Sequence, residues 1–181
     1  GRLPTNYWRA PSGEIQSLHI HEREKAAGRD IFRTGRMQGY TASVSGGSGS
    51  VRYFVSGDYD DDEGIDPTND REQFSARANL QFNAGEHFDL SVSTGYVTSD
   101  TRLACEAGCG GRMWGTLFAS PALLPENCVE GAPYGCGFTR GFQSWPPEPH
   151  DVWSATQGIH RFTGSVTANW RPFSWMTNRF T

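Results

Sequence analysis

Val51-Arg52-Tyr53-Phe54-Val55-Ser56-Gly57-Asp58-Tyr59 is the stretch that decides the fold. Val51, Tyr53, Val55, Gly57 and Tyr59 fall on one side of an extended chain, and Arg52, Phe54, Ser56 and Asp58 on the other. Successive side chains of a strand point to opposite faces, so this is a strand with one apolar and one polar face. The same alternation recurs around it. Tyr40, Ala42 and Val44 oppose Thr41, Ser43 and Ser45. Phe74, Ala76, Ala78, Leu80 and Phe82 oppose Gln73, Ser75, Arg77, Asn79 and Gln81. Phe88, Leu90, Val92, Thr94 and Tyr96 oppose His87, Asp89, Ser91, Ser93 and Gly95. Phe162, Gly164, Val166, Ala168 and Trp170 oppose Arg161, Thr163, Ser165, Thr167 and Asn169.

The connectors alternate in length. Gly46 to Ser50 is a tight turn, Asp60 to Asp70 a longer acidic loop, Asn83 to Glu86 short, 99–157 very long, and Arg171-Pro172 short. Outer-membrane barrels sort their loops in this way, with brief periplasmic turns and large extracellular loops. A soluble sandwich has no such reason to sort them by end. The expected fold is therefore all-β: an antiparallel up-and-down meander forming part of a transmembrane β-barrel, with long extracellular loops. Strands are expected at about 38–46, 50–60, 71–83, 87–98 and 158–170, and another begins within 173–181.

On the apolar face the aromatic residues sit at strand ends. Tyr40, Tyr59, Phe74 and Tyr96 lie beside the long connectors, and Phe82, Phe88 and Trp170 beside the short ones. Two aromatic girdles around a hydrocarbon band have this distribution. The opposite face carries Arg52, Asp58, Arg77, Asn79, Gln81, Asp89, Arg161 and Asn169. That suits a wet lumen or the surface of a plug filling it; the solvent face of a one-sided soluble sheet would be equally polar.

A formal charge of −4, without a basic patch interleaved with aromatics, argues against nucleic acid as a partner. No apolar run is long enough for a membrane-spanning helix, which leaves strands as the way across. The chain begins at Gly1 without a signal-peptide pattern, and five strands plus a stub would leave both edges unpaired, so the expected unit continues beyond both ends. Residues 1–36 read as a poorly structured segment before the barrel part at 37–181. Within it, residues 14–27 suggest a short surface helix ended by Gly28, with Ile15 and Leu18 on one side. His19 and His21 lack a third ligand and do not make a metal site.

Certain words in this order are recognisable. Asp30-Ile31-Phe32-Arg33-Thr34-Gly35 leads to Tyr40-Thr41-Ala42-Ser43-Val44-Ser45-Gly46-Gly47-Ser48. Val51 to Tyr59 follows, then Asp62-Glu63-Gly64-Ile65, then Arg71-Glu72-Gln73-Phe74-Ser75-Ala76-Arg77-Ala78-Asn79-Leu80. Over roughly residues 30–97 this resembles the early barrel region of SusC/RagA-type TonB-dependent outer-membrane transporters. The resemblance implies nutrient import, of oligosaccharides or peptides, across the bacterial outer membrane. It also implies a SusD-like surface lipoprotein and the TonB system as partners.

The long connector holds all four cysteines, Cys105, Cys109, Cys128 and Cys136. An extracellular loop permits disulfides, and Cys105–Cys109 with Cys128–Cys136 is the favoured pairing because each closes a small local loop. The spacings do not match paired zinc knuckles. Trp114, Tyr134, Trp145 and Trp153 are candidate contacts to cargo or partner; alternatively the loop's aromatics, Phe118, Phe138 and Phe142 among them, form its own small core. Residues 113–124 suggest a helical turn, and Trp145-Pro146-Pro147-Glu148-Pro149 reads as stiff and extended. The acidic residues from Asp58 to Asp70 fail the spacing of a calcium loop and read as a solvated rim. No catalytic or cofactor motif is present: no Gly-x-Ser-x-Gly, no His-Glu-x-x-His and no phosphate loop, so neither an enzyme nor a cofactor is expected. Two other functions fit the strands, a secreted β-sandwich glycan-binding module and a passive porin-like channel.

Overall fold

The computed structural model describes residues 5–105, 110–127, 138–153 and 155–181. The elements are β1 (Asn6–Arg9), β2 (Ile15–Leu18), α1 (Ile20–Ala26), β3 (Arg36–Gly47), β4 (Val51–Glu63), β5 (Asp70–Asn83) and β6 (Phe88–Leu103). After them come α2 (Arg112–Leu117), two short 3-10 turns (Pro121–Leu123 and Pro125–Asn127), α3 (Glu148–Asp151), β7 (Ala155–Phe173) and β8 (Met176–Phe180). They divide into two compact units.

The sheet unit comprises Arg36–Asp62, Arg71–Thr101 and Thr156–Thr181. It is a six-stranded antiparallel meander in the order β3-β4-β5-β6-β7-β8, so every neighbour in space is a neighbour in sequence. β3 and β8 are its edges. Side-chain pairs between strands respect the two faces read from the sequence. On the polar face Asp58 accepts from Thr41 Oγ1 at 2.9 Å and from Ser75 Oγ at 3.2 Å. There too Ser93 Oγ donates to Asn79 at 2.6 Å, and Arg171 pairs with Asp89 at 2.5 Å. On the other face, beyond the apolar residues, Tyr59 donates to Glu72 at 3.0 Å and Arg36 reaches Asp61 at 2.9 Å. The β7–β8 ladder pairs Ala168 with Phe180 and Trp170 with Asn178, then shifts register before Phe173 meets Met176. That places the last turn at 174–175, later than Arg171-Pro172.

The strands are longer than expected. β6 continues to Leu103 and β7 starts at Ala155, which narrows the long connector from 99–157 to 104–154. β4 reaches Glu63 and β5 begins at Asp70, so most of the acidic "loop" is strand, closed by a turn at 64–69. Backbone pairing carries these polar residues beyond the point where apolar alternation stops, because an edge-to-edge ladder needs no apolar side chain.

The loop unit comprises Gly1–Gly35, Glu63–Asp70 and Arg102–Ala155. Its core is Leu18, Ile20, Ile31, Ala119, Leu124 and Phe142, with Phe32 packed against it. Fully burying a Leu, Ile or Phe side chain contributes about 1.5–3 kcal/mol. The N-terminal segment is more ordered than the sequence suggested. β1 and β2 form an antiparallel hairpin, Asn6 opposite Leu18, so Ile15 and Leu18 lie on a strand and not on a helix. α1 starts only at Ile20 and ends before Gly28, whose φ of +74° suits the left-handed region that glycine adopts freely. Gly141 has φ +102°, and a Cβ there would come within 3.0 Å of Leu124 and 3.1 Å of Leu18, so the core closes over it. The Trp145 to Pro149 stretch is not extended throughout. Glu148–Asp151 forms one helical turn, with Pro147 as N-cap and Pro149 in the first turn, where a missing N–H costs nothing.

Candidate functional site

The sheet unit offers a concave polar face. A groove of about 480 Å³ is lined by Thr41, Ser56, Asp58, Ser75, Arg77 and Arg161, among others. The period-two alternation places these side chains together, because every second residue of five consecutive strands faces the same way. Asp58 is engaged by two hydroxyls, whereas Arg77 and Arg161 form no ion pair among the described residues. Such a surface can hold hydroxyl-rich or anionic groups through hydrogen bonds.

The opposite face is apolar, and many of its side chains are exposed among the described residues. Val44 is 56 % exposed, Phe162 71 %, Val166 54 % and Trp170 48 %; Tyr40, Tyr53, Val55, Phe74, Leu80, Phe82 and Tyr96 are exposed as well. By contrast Ile20 and Phe142 of the loop unit are 2 % and 1 % exposed.

In the loop unit the candidate contact residues stand at the surface. Trp114 is exposed and stacked on Phe118, with ring centroids 5.0 Å apart and planes 7° from parallel. Trp145 is exposed and meets Phe138 edge to face at 5.5 Å, and Trp153 is half exposed. Only Phe142 of the described aromatics in this connector is buried, so the loop's core is mainly aliphatic and the tryptophans are not its filling. Tyr134, Cys109, Cys128 and Cys136 lie outside the described residues. Cys105 is disulfide-bonded.

Sequence reasoning missed two clusters of charge in this unit. Glu24 is fully buried on α1; Arg29 grips its carboxylate with Nε at 2.7 Å and Nη2 at 3.0 Å. Arg140 adds Nη2 at 3.0 Å and binds Glu148 of α3 with the same nitrogen at 2.7 Å. Burial pushes the Glu24 carboxyl up, but hydrogen bonds from Arg29 and Arg140 prevail and hold it below the usual carboxylate range. In the second cluster Arg112, 3 % exposed at the start of α2, donates Nη1 to the Ile31 carbonyl at 3.0 Å. Its Nη2 pairs with Asp151 of α3, and its Nε lies 3.4 Å from Asp66. Asp66 also accepts from Thr68 N at 3.0 Å and Thr68 Oγ1 at 2.8 Å. The acidic turn is thus not a solvated rim throughout: Asp61, Asp62, Asp66 and Asp70 pair with Arg36, Arg71, Arg112 and Arg33. Arg33, within the Asp30 to Gly35 stretch, also ties to this turn, with its Nε donating to the Gly64 carbonyl at 2.9 Å. His19 Nδ1 lies 3.2 Å from Thr5 Oγ1. Among the described residues no group of His, Cys, Asp and Glu is placed to hold a metal ion.

Compared with known protein families and with curated proteins, the sequence has no match.

Proposed function

We propose that this chain is wall and rim of a TonB-dependent importer of the bacterial outer membrane, of the SusC/RagA type that its motifs resemble. The sheet unit is part of a transmembrane β-barrel, lipid on the apolar face and a wet or plugged lumen on the polar one. It contributes binding surface and no catalysis. Oligosaccharide or peptide cargo is held by contacts spread over wall, plug and outer loops, and a SusD-like lipoprotein and the TonB system are the partners.

The single observation that carries this reading is the uncovered apolar face. Soluble monomers seldom expose a contiguous apolar patch larger than about 300–600 Å². Here the exposed apolar residues continue from β3 through β7, and their pattern of aromatic ends and aliphatic middles fits a hydrocarbon band between interfaces. β3 to β7 run from 12 to 19 residues, enough for a tilted strand that needs about 9–11 to cross. A secreted sandwich would cover this face with a second sheet.

The test places one environment-sensitive probe at a time at positions 44, 92 and 166 of the chain reconstituted in lipid vesicles. Quenching by lipids brominated along the acyl chains is expected at all three. Probes that lipid cannot quench, in protein that stays monodisperse without detergent, would overturn the reading. Cargo uptake that persists in cells lacking TonB would instead leave a passive channel.

A further inference from the structure

α3 is tied down by its side chains. Glu148 binds Arg140 with both carboxylate oxygens, at 2.7 and 3.0 Å, and Asp151 binds the buried Arg112. Arg102 adds a long contact, 3.4 Å, to the Asp151 carbonyl. The backbone bonds of α3 are internal: His150 N to Pro147 O at 3.0 Å and Trp153 N to His150 O at 3.2 Å. On one flank Gln143 N is fixed to the Gly115 carbonyl at 3.2 Å, and on the other Ala155 enters β7. The turn between them can leave without breaking a backbone ladder.

Between the two tethering carboxylates sits His150. It is 8 % exposed, and its Nε2 is buried with no hydrogen-bond partner. A neutral imidazole tolerates this, because one ring nitrogen can be a bare acceptor. An imidazolium must donate from both nitrogens, and here one N–H would point at nothing. The charged groups facing it are Arg112 from α2, Asp66 from the turn after β4, and Asp151 on its own helix; Arg102, Arg140 and Glu148 are the other charged groups in the contacts that hold α3. Asp66 and Asp151 favour a proton on His150, but both already serve Arg112, and Asp66 also accepts twice from Thr68.

We propose that α3 is an acid-released latch on the loop unit: protonation of His150 drives the α3 turn off Arg112 and Arg140. Burial first, and the Arg112 charge second, hold the docked imidazole below its usual range. The docked form therefore binds the proton less readily than the released form, which titrates at about 6.5. Docking is fully favoured above that pH and weakens as pH falls below it. The latch belongs to the loop unit alone and does not depend on what the apolar face of the sheet meets.

Hydrogen exchange of the peptide covering residues 147–153 in the full chain tests this, with rates corrected for the intrinsic pH dependence. In the wild type, protection should fall by up to roughly tenfold per pH unit as pH drops below about 6.5. His150→Gln should abolish that pH dependence, and Asp151→Asn should lower protection at every pH. Wild-type protection that is flat with pH, or a His150→Gln protein that keeps the same fall, overturns the proposal. Should the variant fail to fold, the ring of His150 in labelled wild-type protein decides by nuclear magnetic resonance: titration below about 6.5 supports the latch, and titration at or above it overturns the latch.

Discussion

Arg140 reaches Glu24, Nη2 to Oε2 at 3.0 Å, from a backbone held at φ +53°. It is the one described residue other than glycine with a positive φ. The left-handed conformation costs a side-chain-bearing residue about 1–2 kcal/mol, and the ion pair over a buried carboxylate offsets it. Gly141 follows in the same region of backbone space, so the chain turns sharply enough to bring the guanidinium across α1.

Replacing Arg140 should separate these two contributions. Arg140→Ala and Arg140→Gly both remove the guanidinium, while Arg29 keeps its grip on Glu24. A hydrogen bond to a charged group contributes about 1.5–3 kcal/mol, so both variants should destabilise the loop unit by that order. Arg140→Gly should be the milder by about 0.5–1 kcal/mol, because it removes the strain but loosens the unfolded chain. Denaturant unfolding of the two variants checks this; an Arg140→Gly protein less stable than Arg140→Ala would contradict the assigned strain.

Glu24 should give the loop unit an acid limb separate from that of the latch. Its folded carboxyl titrates below the unfolded value, so its stabilisation is complete above the ordinary carboxylate range and is lost as pH falls through the depressed folded value. Thermal unfolding from pH 6 down to pH 3 should show the melting temperature dropping at the acid end. In Glu24→Gln the drop should be shallower and the neutral-pH stability lower. The His150 effect begins at a higher pH, below about 6.5, and comparing Glu24→Gln with His150→Gln separates the two effects.

Charge placed on the two faces of β7 should have unequal consequences. Val166 belongs to the uncovered apolar face and its neighbour Thr167 to the polar one. An arginine facing lipid near the bilayer midplane costs about 2–4 kcal/mol, whereas lumenal substitutions mainly tune selectivity. Val166→Arg should therefore sharply reduce folding into vesicles and Thr167→Arg should leave it near wild type. Equal behaviour of the two, measured as folded yield against lipid, would remove the membrane assignment of this face.

Alternation along Tyr40–Ser45, Val51–Tyr59 and their counterparts was enough to name the two faces, the strand order and most turns. Period-two geometry is local: each residue's side depends only on its neighbours, and short connectors force adjacent strands together. The polar ends of β4 and β5 were not legible, because Asp61 and Asp62 belong to strand through backbone pairing and arginine partners and not through any apolar pattern. The loop unit was almost wholly hidden. Glu24 meets Arg140, Ile31 meets Arg112, and Asp66 meets Arg112 across long sequence separations. Nothing in the spacing of those residues marks them as partners, since an ion pair has no period and its energy depends on burial that only the folded chain creates. The sequence alone determined which side of each strand is greasy; tertiary structure alone decided that this side is exposed among the described residues and that scattered charges close the loops into a unit.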